Sequence, residues 1–123
     1  MSYATQQTVA LTTAAGGGVT AYTTPVNGRI LGLVYTKTDF DNGVVFLITT
    51  ETTLQTLWSE TGVNASTSRV PRQATHTSLG AAALYAAGGS AVLADVWAVN
   101  ERVKIVIASG GNAKTGSIAV VVG

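Results

Sequence analysis

Cysteine is absent from this chain of 123 residues, so no disulfide staples the fold and no thiolate serves as nucleophile or metal ligand. Histidine occurs once, at His76, which excludes a multi-histidine metal centre built from this chain alone. Charged side chains make up 11% of the sequence, against roughly 25% in an ordinary soluble domain. The formal net charge of +1 supplies no field strong enough to hold a polyphosphate. No apolar run reaches bilayer length, because Ile30 to Tyr35 and Val44 to Ile48 both run quickly into polar residues. The first residues, MSYATQQTVA, carry neither a basic leader nor a long apolar segment, so neither a secretion signal nor a membrane anchor is expected. What remains is a surface covered mainly by Thr, Ser, Ala, Asn and Gly. Such a surface is easily desolvated, which suits burial against other proteins.

The chain is long enough for one domain, 1–123, that buries about two thirds of its extended-chain surface without metal or disulfide support. It contains 16 Val and 19 Thr, whose branched Cβ favours extended backbone. In TVALTT, Val9 and Leu11 alternate with Thr8, Ala10 and Thr12; Gly16 to Gly18 then interrupt, and Val19 to Thr24 gives a partner for a first hairpin. Pro25 and Asn27-Gly28 mark a turn before RILGLVYTK. There Leu31, Leu33 and Tyr35 share one side and Ile30 and Val34 the other, with Gly32 permitting a bend or close backbone approach. DFDNG punctuates the chain before VVFLITT, and this strand with LQTLW makes a second hairpin. AVLADVWAV, RVKIVIA and SIAVVV close the chain as strands, with Val103, Ile105 and Ile107 alternating against Arg102, Lys104 and Val106. The segment 59–89 has no clear period and reads as a long irregular or interface region, within which LGAAALYAAGG fits a short helix and a packed loop equally well. No strand-helix-strand unit recurs, which argues against a doubly wound nucleotide domain. The expected fold is all-β: an antiparallel β-sandwich or jelly-roll-like barrel of seven or eight strands.

Several residue groups invite a chemical reading. Gly110-Gly111-Asn112-Ala113-Lys114-Thr115 has the flavour of a phosphate loop, but Ala113 stands where that loop needs glycine, and a branched strand follows where it needs a helix. It reads as a turn. Asp39, Asp41 and Asn42 could offer oxygens to calcium, yet they lack the spacing of a complete calcium loop and fit local turn bonds better. His76 with Asp95 and Ser66, Ser68 or Ser78 names the residue types of a hydrolytic triad, but there is no nucleophile-elbow motif, and His76 reads as a loop or interface residue. The acids Asp39, Asp41, Glu51, Glu60, Asp95 and Glu101 each fit a turn, strand edge or ion pair, so no enzyme is expected. No cofactor or metal is expected either. Arg69 and Arg72 flank Pro71 as the densest positive feature; without interleaved aromatics they fit a solvated loop or an interface anchor better than nucleic acid. Trp58 and Trp97 read as core or subunit-interface residues, with sugar stacking as the alternative if they are exposed. Asn64-Ala65-Ser66 meets the glycosylation pattern but reads as a polar turn.

The stretches YTTPVNGRILGLVYTK, DNGVVFLITTE, GVNASTSRVPR and NERVKIVIASGGNAKTG together run through nearly the full chain. In them the sequence resembles the small structural proteins of tailed-bacteriophage virions, especially the cement proteins that decorate the head. The resemblance implies a compact β-rich subunit that binds adjacent copies of the major capsid protein on the outer surface of the head, after assembly in the bacterial host cytoplasm. It also implies a homo-oligomer, with a trimer as one option, and no nucleic-acid, membrane or cofactor partner. Carried onto this chain, it makes 59–89 the leading contact region, with Arg69, Pro71, Arg72, His76 and Tyr85 as interface residues. A tail structural protein and a carbohydrate-binding surface module are the alternative roles.

Overall fold

The computed structural model describes residues 4–123, and every regular element in them is a β-strand. Met1 to Tyr3, part of the N-terminal stretch considered above, lie outside the described residues. The strands are β1 (Thr5–Thr12), β2 (Val19–Tyr22), β3 (Val26–Lys37), β4 (Val45–Thr50), β5 (Thr56–Thr61) and β6 (Thr67–Arg69). They continue as β7 (Arg72–Ala74), β8 (Leu93–Asp95), β9 (Trp97–Glu101), β10 (Val103–Ala108) and β11 (Thr115–Val122). One sheet has the order β1-β11-β3-β6, with β9 paired to the first part of β3; the other has the order β2-β10-β4-β5. All pairings are antiparallel. The fold is therefore all-β with a sandwich- or barrel-like architecture. Among the described residues there are eleven strands rather than seven or eight, because β6, β7 and β8 span only three residues each and are too short to show a period in sequence.

Alternation places the core. Val103, Ile105 and Ile107 of β10 are buried, with Arg102, Lys104 and Val106 on the wetter side. Phe46 and Ile48 of β4 join them, and Leu11, Leu33, Ile118 and Val120 come from the other sheet. An aromatic chain runs through this interior: Tyr35 meets Phe46 edge-on at 4.7 Å, and Phe46 meets Trp58 edge-on at 5.1 Å. Trp58 is thus a core residue. Burying one such large side chain stabilises the fold by roughly 1.5–3 kcal/mol.

Two expectations about pairing fail for physical reasons. β1 and β2 do not form a hairpin; β1 pairs with β11 and β2 with β10, so the chain changes sheets between them. A tight turn at Ala14 to Gly18 makes the crossing, with Gly17 at φ 83° and its carbonyl accepting from Gly110 N at 2.9 Å. In β3 the inward set switches parity. The register shifts so that Val121 faces Gly32 and Val122 faces Ile30, leaving Leu31 as the extra residue. Ile30 therefore enters the core with Leu33 and Tyr35, while Leu31 is only half-buried. The β4-β5 hairpin forms as expected, with Val45 opposite Thr61 and Thr49 opposite Thr56.

Candidate functional site

The segment Arg72 to Asp95 contains no buried residue. It starts as a ribbon in which β7 and β8 pair, Arg72 opposite Asp95 and Ala74 opposite Leu93. At Thr75 the ribbon forks. Thr75 N donates to Val92 O at 2.9 Å, Ala83 N donates to Thr75 O at 3.0 Å, and Val92 N donates to Ala83 O at 2.9 Å. This triangle closes two small hairpins side by side. The first turns at Thr77 to Gly80, where Gly80 N donates to Thr77 O at 2.9 Å, and the second at Ala86 to Gly89, where Gly89 N donates to Ala86 O at 2.8 Å. Gly80 at φ 83° and Gly88 at φ 70° supply left-handed backbone that other residues resist. Neither a helix nor a packed loop forms over LGAAALYAAGG, because glycines bracket a stretch too short to nucleate a stable helix and each half finds a strand partner instead.

This forked arm is uncharged: from Gln73 to Ala94 there is no Asp, Glu, Lys or Arg. Its large side chains point into solvent, with Leu79 at 94% and Tyr85 at 76% of full exposure. Polar residues bind locally instead; Thr77 Oγ1 accepts from Leu79 N and Ala81 N, both at 3.3 Å.

The arm's root is fixed to the body. Pro71 is buried there. Asp95 stands between two guanidinium groups, Arg29 at 3.7 Å and Arg72 at 3.8 Å, and Arg72 Nη2 also donates to Leu93 O at 3.2 Å. Arg69 lies farther back. It donates twice to Glu60, at 3.0 Å each, and its guanidinium sits 5.3 Å from the Trp58 ring centre. Because Glu60 belongs to β5 and Arg69 to β6, this pair pins one sheet's edge to the other's. Of the five residues expected at an interface, the structure groups Arg72, His76 and Tyr85 on the arm, places Pro71 at its base and uses Arg69 as a seam between sheets.

Beside the root lies an apolar surface of which sequence reasoning singled out only Trp97. Trp97, 50% exposed, and Val99, 66% exposed, project from alternate positions of β9. Trp97 is thus excluded from the core, one of the two environments expected for it. Next to it runs the β4-β5 loop, whose Leu54 is 69% exposed and held at φ 58°. Gln55 Nε2 donates to Trp97 O at 2.9 Å and ties that loop to β9. The loop is anchored by a carboxylate. Glu101, only 6% exposed, accepts from Thr52 N at 2.9 Å, from Thr53 N at 3.1 Å and from the Thr53 hydroxyl at 3.0 Å. Burial pushes the Glu101 carboxyl up, but the Thr53 and Thr52 amides and the threonine hydroxyls outweigh it and hold the group below the usual carboxylate range.

Asp39, Glu51 and Glu60 are occupied in the same way. Asp39 accepts from Thr115 N at 2.6 Å, which lowers its pKa, and so finishes the turn that opens β11. Glu51 is lowered by its hydrogen bonds from Arg102, and Glu60 by those from Arg69 and then Trp58. The 110–115 segment is the turn joining β10 to β11. Its Lys114 carbonyl accepts from Thr13 N at 2.8 Å, and a Cβ on Gly111 would come within 2.5 Å of the Asp41 carboxylate. His76 faces Ala82 across a bridge in the arm and has no hydrogen bond to a serine or to Asp95. Among the described residues, no group of three or more His, Asp or Glu side chains converges to hold a metal. No protein-family model matches this sequence, and a search of the curated proteins returns no match.

Proposed function

We propose that this protein is a structural subunit of a tailed-phage virion that decorates the head and reinforces it by binding adjacent capsid subunits. The observation that carries the proposal is the forked arm, Arg72 to Asp95, which is uncharged from Gln73 to Ala94 and buries none of its own residues. The arm is shaped by its own hydrogen bonds, but its exposed apolar side chains are buried only by what it touches outside. A scaffold of two antiparallel sheets holds it at a fixed root through Asp95 and Pro71. The resemblance of the strand and turn segments to cement proteins supplies the partner class, the major capsid protein on the outer surface of the head.

Reinforcement follows from multivalency. A subunit that bridges neighbours in a lattice makes its later contacts at high effective concentration, so modest individual contacts add to a strong hold. A surface with few charges repeats across a shell without like-charge repulsion. The test mixes purified protein with heads lacking it. Saturable binding with a higher temperature of head rupture supports the proposal; heads that neither bind the protein nor gain heat resistance contradict it.

Trp97 favours a second reading, a carbohydrate-binding surface module, because its ring is half exposed beside Arg29 on the neighbouring strand. Quenching of tryptophan fluorescence by a soluble glycan, lost in Trp97→Ala, supports that reading over the first.

A further inference from the structure

We propose that Asn42 is a site of spontaneous modification: its side-chain amide condenses with the Gly43 main-chain nitrogen, and water then converts the residue to aspartate or isoaspartate. Asn64 sets the pace of this reaction, and the sheet keeps the chain's other Asn-Gly pair, Asn27-Gly28, from undergoing it. Asn42 lies outside the arm, and nothing in the reaction depends on what the arm binds.

Asparagine followed by glycine closes this ring readily, because no Cβ shields the attacking nitrogen. The sequence has the pair twice, and the fold treats the two differently. Asn27-Gly28 lies within β3, with Asn27 opposite Val99 and Gly28 opposite Ala98 on β9. Asn27 Oδ1 accepts from Asn100 N at 2.8 Å, and the Gly123 carbonyl oxygen stands 3.2 Å from where a Gly28 Cβ would be. Turning the 27–28 peptide into a ring would pull these strands apart. Asn42-Gly43 instead sits in the turn between β3 and β4, outside every strand pairing. Both residues are exposed, Gly43 has φ 89°, and its Cβ position is surrounded by open space.

Two side-chain contacts act on the reacting groups in opposite directions. Lys37 Nζ donates to Asn42 Oδ1 at 3.4 Å, which polarises the carbon to be attacked and stabilises the oxyanion formed there. Asp39 and Asp41 are the other charges of this turn, and Asp39 is occupied by Thr115. Against Lys37 works Asn64, whose Oδ1 accepts from Gly43 N at 2.8 Å and so holds the proton that must leave. Lys37 Nζ also donates to Asn64 O at 2.9 Å, which keeps that brake in place. In the reaction, hydroxide takes the Gly43 amide proton as the nitrogen bonds to Asn42 Cγ. The side-chain nitrogen takes a proton from water and leaves as ammonia. Water then opens the imide ring, at Cγ to give aspartate or at the main-chain carbonyl to give isoaspartate. Either product places a carboxylate at position 42 and lowers the formal net charge from +1 to zero. A protein without net charge loses the repulsion that keeps its copies apart in solution.

The test incubates the purified full chain in warm, mildly alkaline buffer below its melting temperature, with the same chain unfolded in urea beside it. Peptide mapping by mass spectrometry follows each asparagine. In the native protein, conversion is expected at position 42 and not at position 27. In urea both pairs are expected to convert at similar rates, because only the fold separates them. Asn64→Ala is expected to speed native conversion at 42 by about five-fold, the effect of removing one hydrogen bond of ordinary strength, and to leave position 27 unconverted. Native conversion at 27 as fast as at 42, or none at 42 while the unfolded chain converts, would overturn the proposal. So would an Asn64→Ala rate no higher than that of wild type. Loss of ammonia with Lys37 linked to Asn42 would overturn it too, because the lysine and not Gly43 would then be the attacking group. If Asn64→Ala fails to fold, the contrast between positions 42 and 27 in native wild type decides alone.

Discussion

Replacing Glu101 by glutamine tests how the β4-β5 loop is held. The carboxylate is nearly buried and accepts three hydrogen bonds, at 2.9, 3.1 and 3.0 Å, from Thr52 N, Thr53 N and the Thr53 hydroxyl. Hydrogen bonds to a charged acceptor contribute roughly 1.5–3 kcal/mol, against about 1 kcal/mol for neutral ones. Glutamine keeps one oxygen for the two amides but turns an NH2 toward the Thr53 hydroxyl, which must then rotate. The expected loss is about 2 kcal/mol at neutral pH. At about 2.1 cal/mol/K of unfolding entropy per residue, a chain of this size should then melt roughly 8 °C lower. The pH dependence has a definite sign. The folded pKa of Glu101 lies below its unfolded value, so its contribution is complete above the unfolded pKa of about 4.3 and is lost as pH falls through the folded one. The gap between wild type and Glu101→Gln should therefore be wide at neutral pH and close in acid. Urea denaturation at both pH values measures it, with an unchanged slope confirming that the folded and unfolded states compared are the same. A gap below about 0.5 kcal/mol at neutral pH, or one that persists undiminished in acid, would refute the clasp.

Tyr35→Phe should leave stability unchanged or raise it by up to about 1 kcal/mol, because the Tyr35 hydroxyl is buried without a protein hydrogen-bond partner; a loss above 1 kcal/mol in urea melts would mean that the hydroxyl is satisfied. Gly116→Ala should cost about 1–3 kcal/mol, since the new Cβ would stand 2.8 Å from the buried Phe40 ring; calorimetry showing no loss would mean that the ring can retreat. Leu54→Gly should raise stability by roughly 0.5–1 kcal/mol through relief of the left-handed backbone; a fall in stability in urea melts would show that the side chain packs within the subunit.

The strands with the clearest alternation were legible in the sequence. β4, β10 and β11 take their inward residues where branched and aromatic side chains recur at every second position. Parity in β3 was not legible, because the bulge at Leu31 depends on the register with β11, a strand far away in the chain. The same is true of pairing: β1 and β2 are neighbours in sequence, but each finds a better partner at the other end of the chain. In the candidate site, the irregular region 59–89 overlaps the arm only from residue 72 and also takes in the end of β5 and all of β6, and the glycines that bound LGAAALYAAGG lie at the two turns of the arm. The fork at Thr75 could not be read, since it depends on three backbone segments meeting at Ala83 and Val92. Glu101 fitted a turn, a strand edge or an ion pair alike, because nothing local shows that it reaches Thr52 and Thr53. Leu54 looked like the start of a strand; its left-handed backbone is set by the network around Thr50, Thr53 and Gln55.

The central claim is that the uncharged arm is a docking element of a structural assembly, and cryo-electron microscopy of intact virions tests it most directly. The account predicts copies of this chain on the head exterior with residues 72–95 covered by protein. Heads without the chain, or copies whose arm stands free in solvent, would contradict it.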